Sequence, residues 1–323
     1  MSALFSPMDV GPLHLRNRVV MPPMVSGQSD LSGLVTDAIV EHYRLRARAG
    51  TGTIIVEATN VDQAGRPWSK GIGAWEDGQV AGLTALARGI HEQGAAAAIQ
   101  LVHGGPQASP EIPGVSVVGP STVPRSAEAR PPRALTVEEI VRIEERFADA
   151  AGRCIRAGFD AVEAHGAHGF LLDSFLSAHS NRRTDEYGGS ISGRMRMLLE
   201  TCRKMKARIG DKLLICRISL FNKPEGFGLD EYRELIRGLE TAGVDVVHVS
   251  TDGAFKPFFS SKKSLGQWTK DISARPVIVA GGLGAPADAE RAVAEGHCDL
   301  AAIGNAMYED PEWTAKARRA LGA

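Results

Sequence analysis

The stretch AGFDAVEAHGAH (157–168) joins three features that together decide the fold of this 323-residue chain. It begins with a small residue and a glycine, as at the left-handed ends of many helices. An apolar run follows with little polar alternation, which is typical of a parallel strand buried on both faces. Two histidines three positions apart end the stretch. The stretch therefore predicts a helix end, a buried strand and a polar strand end, in that order.

The same arrangement recurs along the chain. Related phrases are AGTGTIIVEAT (49–59), QGAAAAIQLVH (93–103), AGVDVVHVST (242–251) and EGHCDLAAIGN (295–305). Three further strands are predicted at 18–23, 213–221 and 275–283. Helical patterns separate the strands at 36–49, 79–93, 136–157, 190–209, 229–242, 261–273, 286–295 and 312–321. Eight such units predict an α/β fold, a single-domain (β/α)8 TIM barrel over residues 1–323. The alternative is a doubly wound open sheet, although no single GxGxxG motif opens the chain.

One connection is much longer than the others. Residues 104–133 follow the third predicted strand and are rich in Pro, Gly and Ser, too polar and broken for a strand or a long helix. Long loops after the carboxyl ends of strands commonly form lids or pocket walls. We therefore predict an excursion loop over the C-terminal face of the barrel.

Composition excludes several classes of partner. The formal net charge is −1, so no strong overall field would draw the chain to nucleic acid or to an anionic membrane. The N-terminal sequence has no secretory pattern, and no apolar run approaches the roughly 20 residues of a membrane helix. The four cysteines form no CxxC pair, which argues against a zinc knuckle. We expect a cytoplasmic protein acting on a small molecule; the sequence is compatible with a homodimer or a homotetramer.

Polar residues gather where the predicted strands end, which is where barrel enzymes carry their active sites. His165 and His168 can direct two imidazole N–H groups at one oxygen, as in an oxyanion hole. They can also serve as metal ligands, although zinc requires a third ligand that the sequence does not obviously supply. Each histidine taken alone is more often structural.

Two other strand ends suggest a bound cofactor. The glycines after strands seven and eight, Gly281-Gly282 and Gly304, suit a phosphate held by backbone N–H groups, or serve only as turn residues. Arg217 lies in an apolar strand, where it pairs with Glu57 or Glu163 or stabilises charge on a cofactor. Gln100 offers a donor and acceptors to the edge of a heterocycle.

At this point the chain resembles the Old Yellow Enzyme family of FMN-dependent NAD(P)H oxidoreductases. The resemblance covers nearly the whole chain, in order, and is most specific in the central motif. The matching phrases are LFSPMDVGPLHLRNRVVMPPM (4–24), IIVEATNVDQAGR (54–66), IQLVHGG (99–105), HGAHGFLLDSFLSAHSNRRTDEYGGS (165–190), RIS (217–219) and the late GG and GN loops.

The resemblance implies a position for each candidate residue around FMN. Along the flavin ring would lie Pro22, Pro23, Met24 and Val25. Ala58 would sit near the polar edge of the ring, Gln100 at its pyrimidine side, and Arg217 beside the N1/C2 carbonyl region. The phosphate would be held by Gly281, Gly282, Gly304 and Asn305.

The resemblance also implies a reaction. Hydride would pass from NADPH or NADH to FMN and then to the β-carbon of an activated alkene, an α,β-unsaturated carbonyl or a nitroalkene. His165 and His168 would bind the substrate oxygen, and Gly27 and Trp68 would shape the substrate pocket. No metal is implied.

Three positions depart from the family pattern. Phe170 stands at the catalytic position of the usual proton-donating Tyr, and Phe cannot donate a proton. Val25 stands where many members have a Thr or Cys that tunes the flavin, which predicts a lower flavin potential. Asn305 stands where an Arg is usual, which predicts weaker phosphate binding unless another residue replaces that cation.

These departures keep other functions open. One is a flavoenzyme of the same fold that reduces quinones or nitro compounds, or that oxidises or desaturates its substrate. Another is a catalytically impaired flavin-binding homologue. A third is a metal-dependent barrel lyase that uses the two histidines.

Overall fold

Twelve strands are present in the computed structural model of the chain, which describes residues 2–220 and 227–323. In chain order they are β1 (Met8–Val10), β2 (Leu13–Leu15), β3 (Val19–Met21), β4 (Thr53–Asn60), β5 (Ala96–Val102), β6 (Val118–Gly119), β7 (Arg133–Ala134), β8 (Ala161–Gly166), β9 (Leu213–Ser219), β10 (Val246–Ser250), β11 (Val277–Ala280) and β12 (Leu300–Ala302).

Eight of these strands, β3–β5 and β8–β12, close into a parallel barrel in chain order. The predicted (β/α)8 TIM barrel is therefore confirmed, and the open sheet is wrong. The strand predicted at 213–221 is observed to Ser219, and its last residue, Phe221, lies outside the described residues.

Ten α-helices accompany the strands in the described ranges. They are α1 (Asp37–Arg48), α2 (Val80–His91), α3 (Val137–Arg156), α4 (Leu171–Leu176), α5 (Ile191–Ile209), α6 (Leu229–Thr241), α7 (Leu265–Ile272), α8 (Pro286–Ala294), α9 (Asn305–Glu309) and α10 (Trp313–Ala320). Eight overlap the predicted helices. The helices α4 and α9 were not predicted, because helices of six and five residues are too short to show a hydrophobic period. In the part of the chain that the structure describes, no helix has the length and apolar character needed to cross a membrane.

The strands place alternate side chains on opposite sides of the barrel wall. On β9, Leu213 and Ile215 join an inner cluster, whereas Leu214, Cys216 and Ile218 pack in the cluster shared with the surrounding helices. Because side chains alternate along a strand, Arg217 continues the inward series. The sequence LLICRIS therefore buries apolar residues on both faces and changes the inner face from apolar to polar near the strand's C-terminal end.

The N-terminal hairpin covers the apolar end of the barrel. β1 and β2 pair antiparallel, and Val10 and Leu15 join the inner cluster with Val20 and Ile55. This hairpin was not predicted, since strands of three residues carry almost no periodic signal. With one end covered in this way, the polar residues lie toward the opposite, C-terminal ends of the strands.

The register of β4 shifts between Val56 and Thr59, and this irregularity turns Glu57 away from the barrel interior. Glu57 accepts hydrogen bonds from the backbone N–H of Ser26 at 3.0 Å and from the Tyr43 hydroxyl of α1 at 3.2 Å. The suggestion that Glu57 pairs with Arg217 is therefore wrong, because a β-bulge changes the face on which a side chain lies.

The long connection between β5 and α3 lies against the loop that carries the two histidines. Its only regular pieces in the described chain are a 3-10 turn at Gly105–Gln107 and the two-residue strands β6 and β7, which pair with each other. The Gln107 side-chain amide donates to the His168 carbonyl at 2.6 Å. The segment expected to contain no strand thus holds β6 and the first residue of β7, and its 3-10 turn contacts the candidate site through Gln107.

Buried histidines make the fold sensitive to acid. Burial lowers the pKa of at least five histidines, namely His42, His103, His165, His248 and His297; the values for His42 and His103 fall to about 4. The folded state keeps these rings neutral, whereas the unfolded chain binds protons below a pKa of about 6.5. Stability is therefore lost as the pH falls below that value.

We expect Tm to fall between pH 7 and pH 5, measured by circular dichroism at both pH values. Carboxylates with lowered pKa values, such as Glu139 at about 2, lose their contribution only at more acidic pH. The His103→Asn variant should show a smaller fall than the parent. An equal fall in the two proteins would contradict a role for His103.

Candidate active site

Three nitrogen-bearing side chains form a lateral row across β8, β9 and β10. His165 is in register with Arg217, and Arg217 is in register with His248. All three side chains are buried, and each has a buried nitrogen with no hydrogen-bond partner: His165 Nδ1, Arg217 Nε and His248 Nε2. Buried polar atoms are rarely left unpaired in a native protein. Three in one row indicate that a bound molecule supplies the missing partners.

The electrostatics of the row keep His165 neutral. Burial lowers the pKa of His165 well below its usual value, and nearby His168, Arg217 and His248 lower it further. Burial also lowers the pKa of Arg217, and the Glu163 carboxylate acts in the opposite direction by raising it. Guanidinium groups remain protonated in proteins, so the row carries one fixed positive charge beside a neutral imidazole.

His168 is brought beside His165 by an unusual backbone conformation. Its φ is +62°, a left-handed value that is uncommon for a residue other than glycine. The two imidazole rings lie 5.2 Å apart between centroids and nearly perpendicular. His168 Nε2 hydrogen-bonds Ser250 Oγ at 2.9 Å, and Arg217 Nη2 donates to the same oxygen at 3.2 Å. Ser250 thus connects the histidine pair to the buried cation.

A second polar layer lies directly below the row. Gln100 and Glu163 are register partners on β5 and β8, and Gln100 Nε2 donates to Glu163 Oε1 at 2.7 Å. His248 Nδ1 contacts the other carboxylate oxygen at 2.6 Å. Glu163 therefore has two close partners, whereas the direct hydrogen bond of Arg217 is to Ser250.

The glycine loops after β11 and β12 border an open cavity of about 590 Å³. Arg217 and Ser250 line one part of it, and the remaining lining includes Pro22, Met24, Gly281, Gly282, Gly304, Asn305 and Glu309. A Cβ added to Gly281 would lie 2.2 Å from the Thr251 carbonyl oxygen, so only glycine fits there. At Gly282, with φ +68°, the added atom would meet nothing within 4 Å. The loop after β11 thus leaves its backbone open to a ligand at Gly282.

The cavity contains little positive charge. Among the described residues that line it, Arg217 is the only cation, and Asn305 is the first residue of α9. The lining shows no arginine or lysine that takes the place of the family's usual late arginine. Backbone N–H groups of the glycine loops are therefore the main donors available to a phosphate.

An apolar cluster borders the histidine pair. Phe170 packs with Ala58 and Val102, and Val25 and Trp68 complete the cluster. The Phe170 ring lies 4.9 Å from the His165 ring and 5.6 Å from Trp68, between centroids. Two of the departures from the family pattern, Val25 and Phe170, thus belong to the same cluster.

Two predicted residues show no clear relation to these groups. Gly27 is exposed, and a Cβ added to it would meet nothing within 4 Å. Pro23 is buried in the segment after β3, but it is not among the residues that line the cavity. Ser250, Glu163 and His248 were not among the predicted site residues. Glu163 lies two residues before His165 on β8, and His248 and Ser250 lie on β10, which pairs with the strand that carries Arg217. These positions near the strand ends could have indicated them.

A closed barrel with partnerless buried nitrogens beside a glycine-lined cavity has the architecture of a cofactor-binding barrel enzyme. The chain belongs to the NADH:flavin oxidoreductase / NADH oxidase family, whose model matches residues 3–322. This membership confirms the resemblance to the Old Yellow Enzyme family and places the chain among FMN-dependent NAD(P)H oxidoreductases.

Individual relatives agree with this assignment. The chain is 38% identical to an NADH oxidase of Thermoanaerobacter brockii, over 98% of this chain and 50% of that protein. It is 34% identical to an NADPH dehydrogenase of Geobacillus thermodenitrificans, over 99% and 95% of the two chains. The structure of an old yellow enzyme homologue from Zymomonas mobilis matches with a TM-score of 0.86 at 26% identity, covering 99% and 93%. The chain thus spans half the length of the NADH oxidase and nearly the whole length of the NADPH dehydrogenase and of the Zymomonas mobilis homologue.

The residues present fit FMN. The partnerless nitrogens can meet the polar edge of a heterocycle. Glycines of both loops line the cavity, and the space beside Gly282 is open to a phosphate. A metal site has less support, since no group of three His, Cys, Asp or Glu side chains within 2–220 and 227–323 could hold a metal ion.

Proposed function

We propose that the chain passes hydride from NADPH or NADH, through FMN, to an activated alkene. The substrate is an α,β-unsaturated carbonyl or a nitroalkene, and His165 and His168 bind its oxygen. FMN supplies reversible hydride transfer when it is bound. The observation that carries the proposal is the pairing of two imidazoles at one strand end, beside a buried cation and an apolar surface.

The histidines would act by donating hydrogen bonds. Because burial keeps His165 neutral, its ring has one N–H and one bare nitrogen. A donor aimed at the substrate oxygen stabilises the negative charge that develops there as hydride arrives at the β-carbon. Ser250 would orient His168 through their 2.9 Å hydrogen bond.

The apolar cluster would hold the carbon skeleton of the substrate and exclude water from its face. Phe170 provides no proton, and its cluster partners Val25, Ala58, Trp68 and Val102 include no acidic side chain. The α-carbon would then be protonated by solvent entering from outside the cluster. The second candidate function is therefore reduction of a quinone or a nitro compound, because these acceptors need no proton from the position of Phe170.

The first experiment is to record the visible spectrum of the purified protein and reduce it anaerobically with NADPH or NADH. Reduced protein is then mixed separately with 2-cyclohexenone, a quinone and a nitro compound. Reoxidation by the enone supports the proposal, whereas reoxidation by the quinone or the nitro compound alone supports the second candidate. A protein that binds no flavin would contradict both.

Phe170→Tyr should increase the rate of enone reduction. A positioned general acid commonly raises a reaction rate by roughly 10²–10⁴-fold. We expect the newly introduced hydroxyl to raise the rate of enone reduction about tenfold or more. The rate of reduction by NADPH should change little. Single-turnover reoxidation with 2-cyclohexenone measures the effect, and Phe170→Leu is the matched control without a hydroxyl. An equal rate in the Tyr and Leu variants would contradict the assignment of this position.

A further inference from the structure

We propose that Glu163 is a positioning residue: it fixes which atoms Gln100 and His248 present to the cofactor, and it moderates the positive charge of Arg217. This inference rests on the proposed function. It concerns a carboxylate that lies inside the barrel, below the row formed by His165, Arg217 and His248.

The hydrogen bonds of Glu163 determine the orientation of the Gln100 amide. A carboxylate only accepts hydrogen bonds, so the atom of Gln100 that lies 2.7 Å from Glu163 Oε1 must be the amide nitrogen. The amide oxygen of Gln100 is then directed away from Glu163. All three residues of this group, including His248, are at most 1% exposed, so water does not compete for these bonds.

The same argument fixes the tautomer of His248. Its Nδ1 lies 2.6 Å from Glu163 Oε2 and must carry the proton. Burial lowers the pKa of His248 against the opposing effect of Glu163, so the ring is neutral and Nε2 is a bare acceptor. That nitrogen has no partner in the described structure. Glu163 thus orients two acceptors, Gln100 Oε1 and His248 Nε2, through one carboxylate.

Glu163 also affects the charge of the site. Its register partner on β9 is Ile215, two residues before Arg217, so the carboxylate lies one layer below the guanidinium. It opposes the lowering of the Arg217 pKa by burial, although the direct hydrogen bond of Arg217 is to Ser250. In a buried site this carboxylate offsets part of the positive potential of the guanidinium. An anionic reduced flavin would be stabilised by Arg217 and destabilised by Glu163, so the pair would set the flavin potential between them.

The test uses the holoprotein with Glu163→Gln, a nearly isosteric change. The new amide can donate to Gln100, which would turn the Gln100 amide and replace an acceptor with a donor. We expect the Kd for FMN, measured by fluorescence quenching, to rise about tenfold, the equivalent of one good hydrogen bond. We expect the flavin midpoint potential to shift in the positive direction, because a negative charge has been removed.

A matched control is Glu144→Gln. Glu144 is equally buried at 1% exposure, but it lies on α3, where it pairs with Lys204 at 3.1 Å outside the barrel. This variant should leave FMN affinity and potential unchanged. A purely structural role for Glu163 would lower Tm without a positive shift in potential.

The mechanism of positioning is tested by a double-mutant cycle. If Glu163 acts on affinity through Gln100, the effect of Glu163→Gln should be much smaller in a Gln100→Met background. If Glu163→Gln does not fold, Gln100→Met alone still tests the inference: it should weaken FMN binding without a positive shift in potential.

The outcomes separate this inference from the proposed function. Wild-type protein that binds FMN, together with a Glu163→Gln variant of unchanged affinity and potential, would overturn the inference alone. Unchanged affinity in Gln100→Met would overturn it as well. Wild-type protein that does not bind FMN would overturn both the inference and the proposed function.

Discussion

The His165→Ala/His168→Ala double variant is expected to lose about 10³-fold or more in kcat/KM for an enone. Removal of a single oxyanion-hole donor commonly costs 10²–10³-fold, and this change removes both candidate donors. The centroids of the two rings lie 5.2 Å apart at one strand end. Steady-state kinetics with 2-cyclohexenone measure the loss.

Two further variants make this result specific. The His165→Asn/His168→Asn variant keeps side-chain N–H donors and should recover part of the activity. His103→Asn changes another buried histidine, one whose Nδ1 accepts a hydrogen bond from the Gly105 N–H at 3.0 Å. That control should leave kcat/KM nearly unchanged. An alanine double variant with parental kcat/KM would show that the pair does not bind the substrate.

Arg217→Met should produce the second large effect, on the flavin itself. Arg217 is the only cation among the described residues that line the cavity, and its buried Nε has no protein partner. Its loss would remove the charge that stabilises an anionic reduced flavin and leave the nearby Glu163 unopposed. We expect a more negative midpoint potential and reduction by NADPH slowed about 100-fold, a magnitude typical for loss of a preorganised electrostatic group.

Arg217→Lys is the matched control, because it keeps the charge but lacks the planar fork of the guanidinium. The midpoint potential of the Lys variant should therefore differ less from the parental value than the midpoint potential of the Met variant. Spectroelectrochemical titration measures both. A Met variant with the parental potential would rule out Arg217 as the charge-stabilising group.

The architecture could be predicted from the sequence because each barrel unit repeats a helix end, a glycine and an apolar strand. Phrases such as AGVDVVHVST identify both the strand and the position where it ends. The end of the strand in turn indicates which residues lie at the C-terminal face, which is how His165, Arg217 and the late glycines were selected.

Side-chain partnerships could not be predicted in the same way. Glu57 and Glu163 are both acidic residues in apolar strands and looked alike as partners for Arg217. A register shift in β4 turns Glu57 toward Tyr43, whereas Glu163 follows the regular inward alternation. Ser250 contacts both His168 and Arg217 only because β10 lies next to β9 in the closed barrel.

Two of the three departures from the family pattern lie in one cluster of the structure. Val25 and Phe170 are 145 positions apart in sequence, yet both belong to the apolar cluster beside His165. Asn305 borders a cavity in which a phosphate would depend on backbone donors. The predictions of a lower flavin potential and weaker phosphate binding therefore stay predictions for redox titration and for FMN retention on dialysis.

Anaerobic stopped-flow reoxidation with 2-cyclohexenone tests the central claim most directly. The protein is first reduced with one equivalent of NADPH, and flavin absorbance is followed after mixing with the enone. We predict that the absorbance returns at a rate that depends on enone concentration and that the His165→Ala/His168→Ala variant slows this return about 10³-fold or more. Reduced flavin that persists in the presence of the enone, or that reoxidises equally fast without the two histidines, would contradict it.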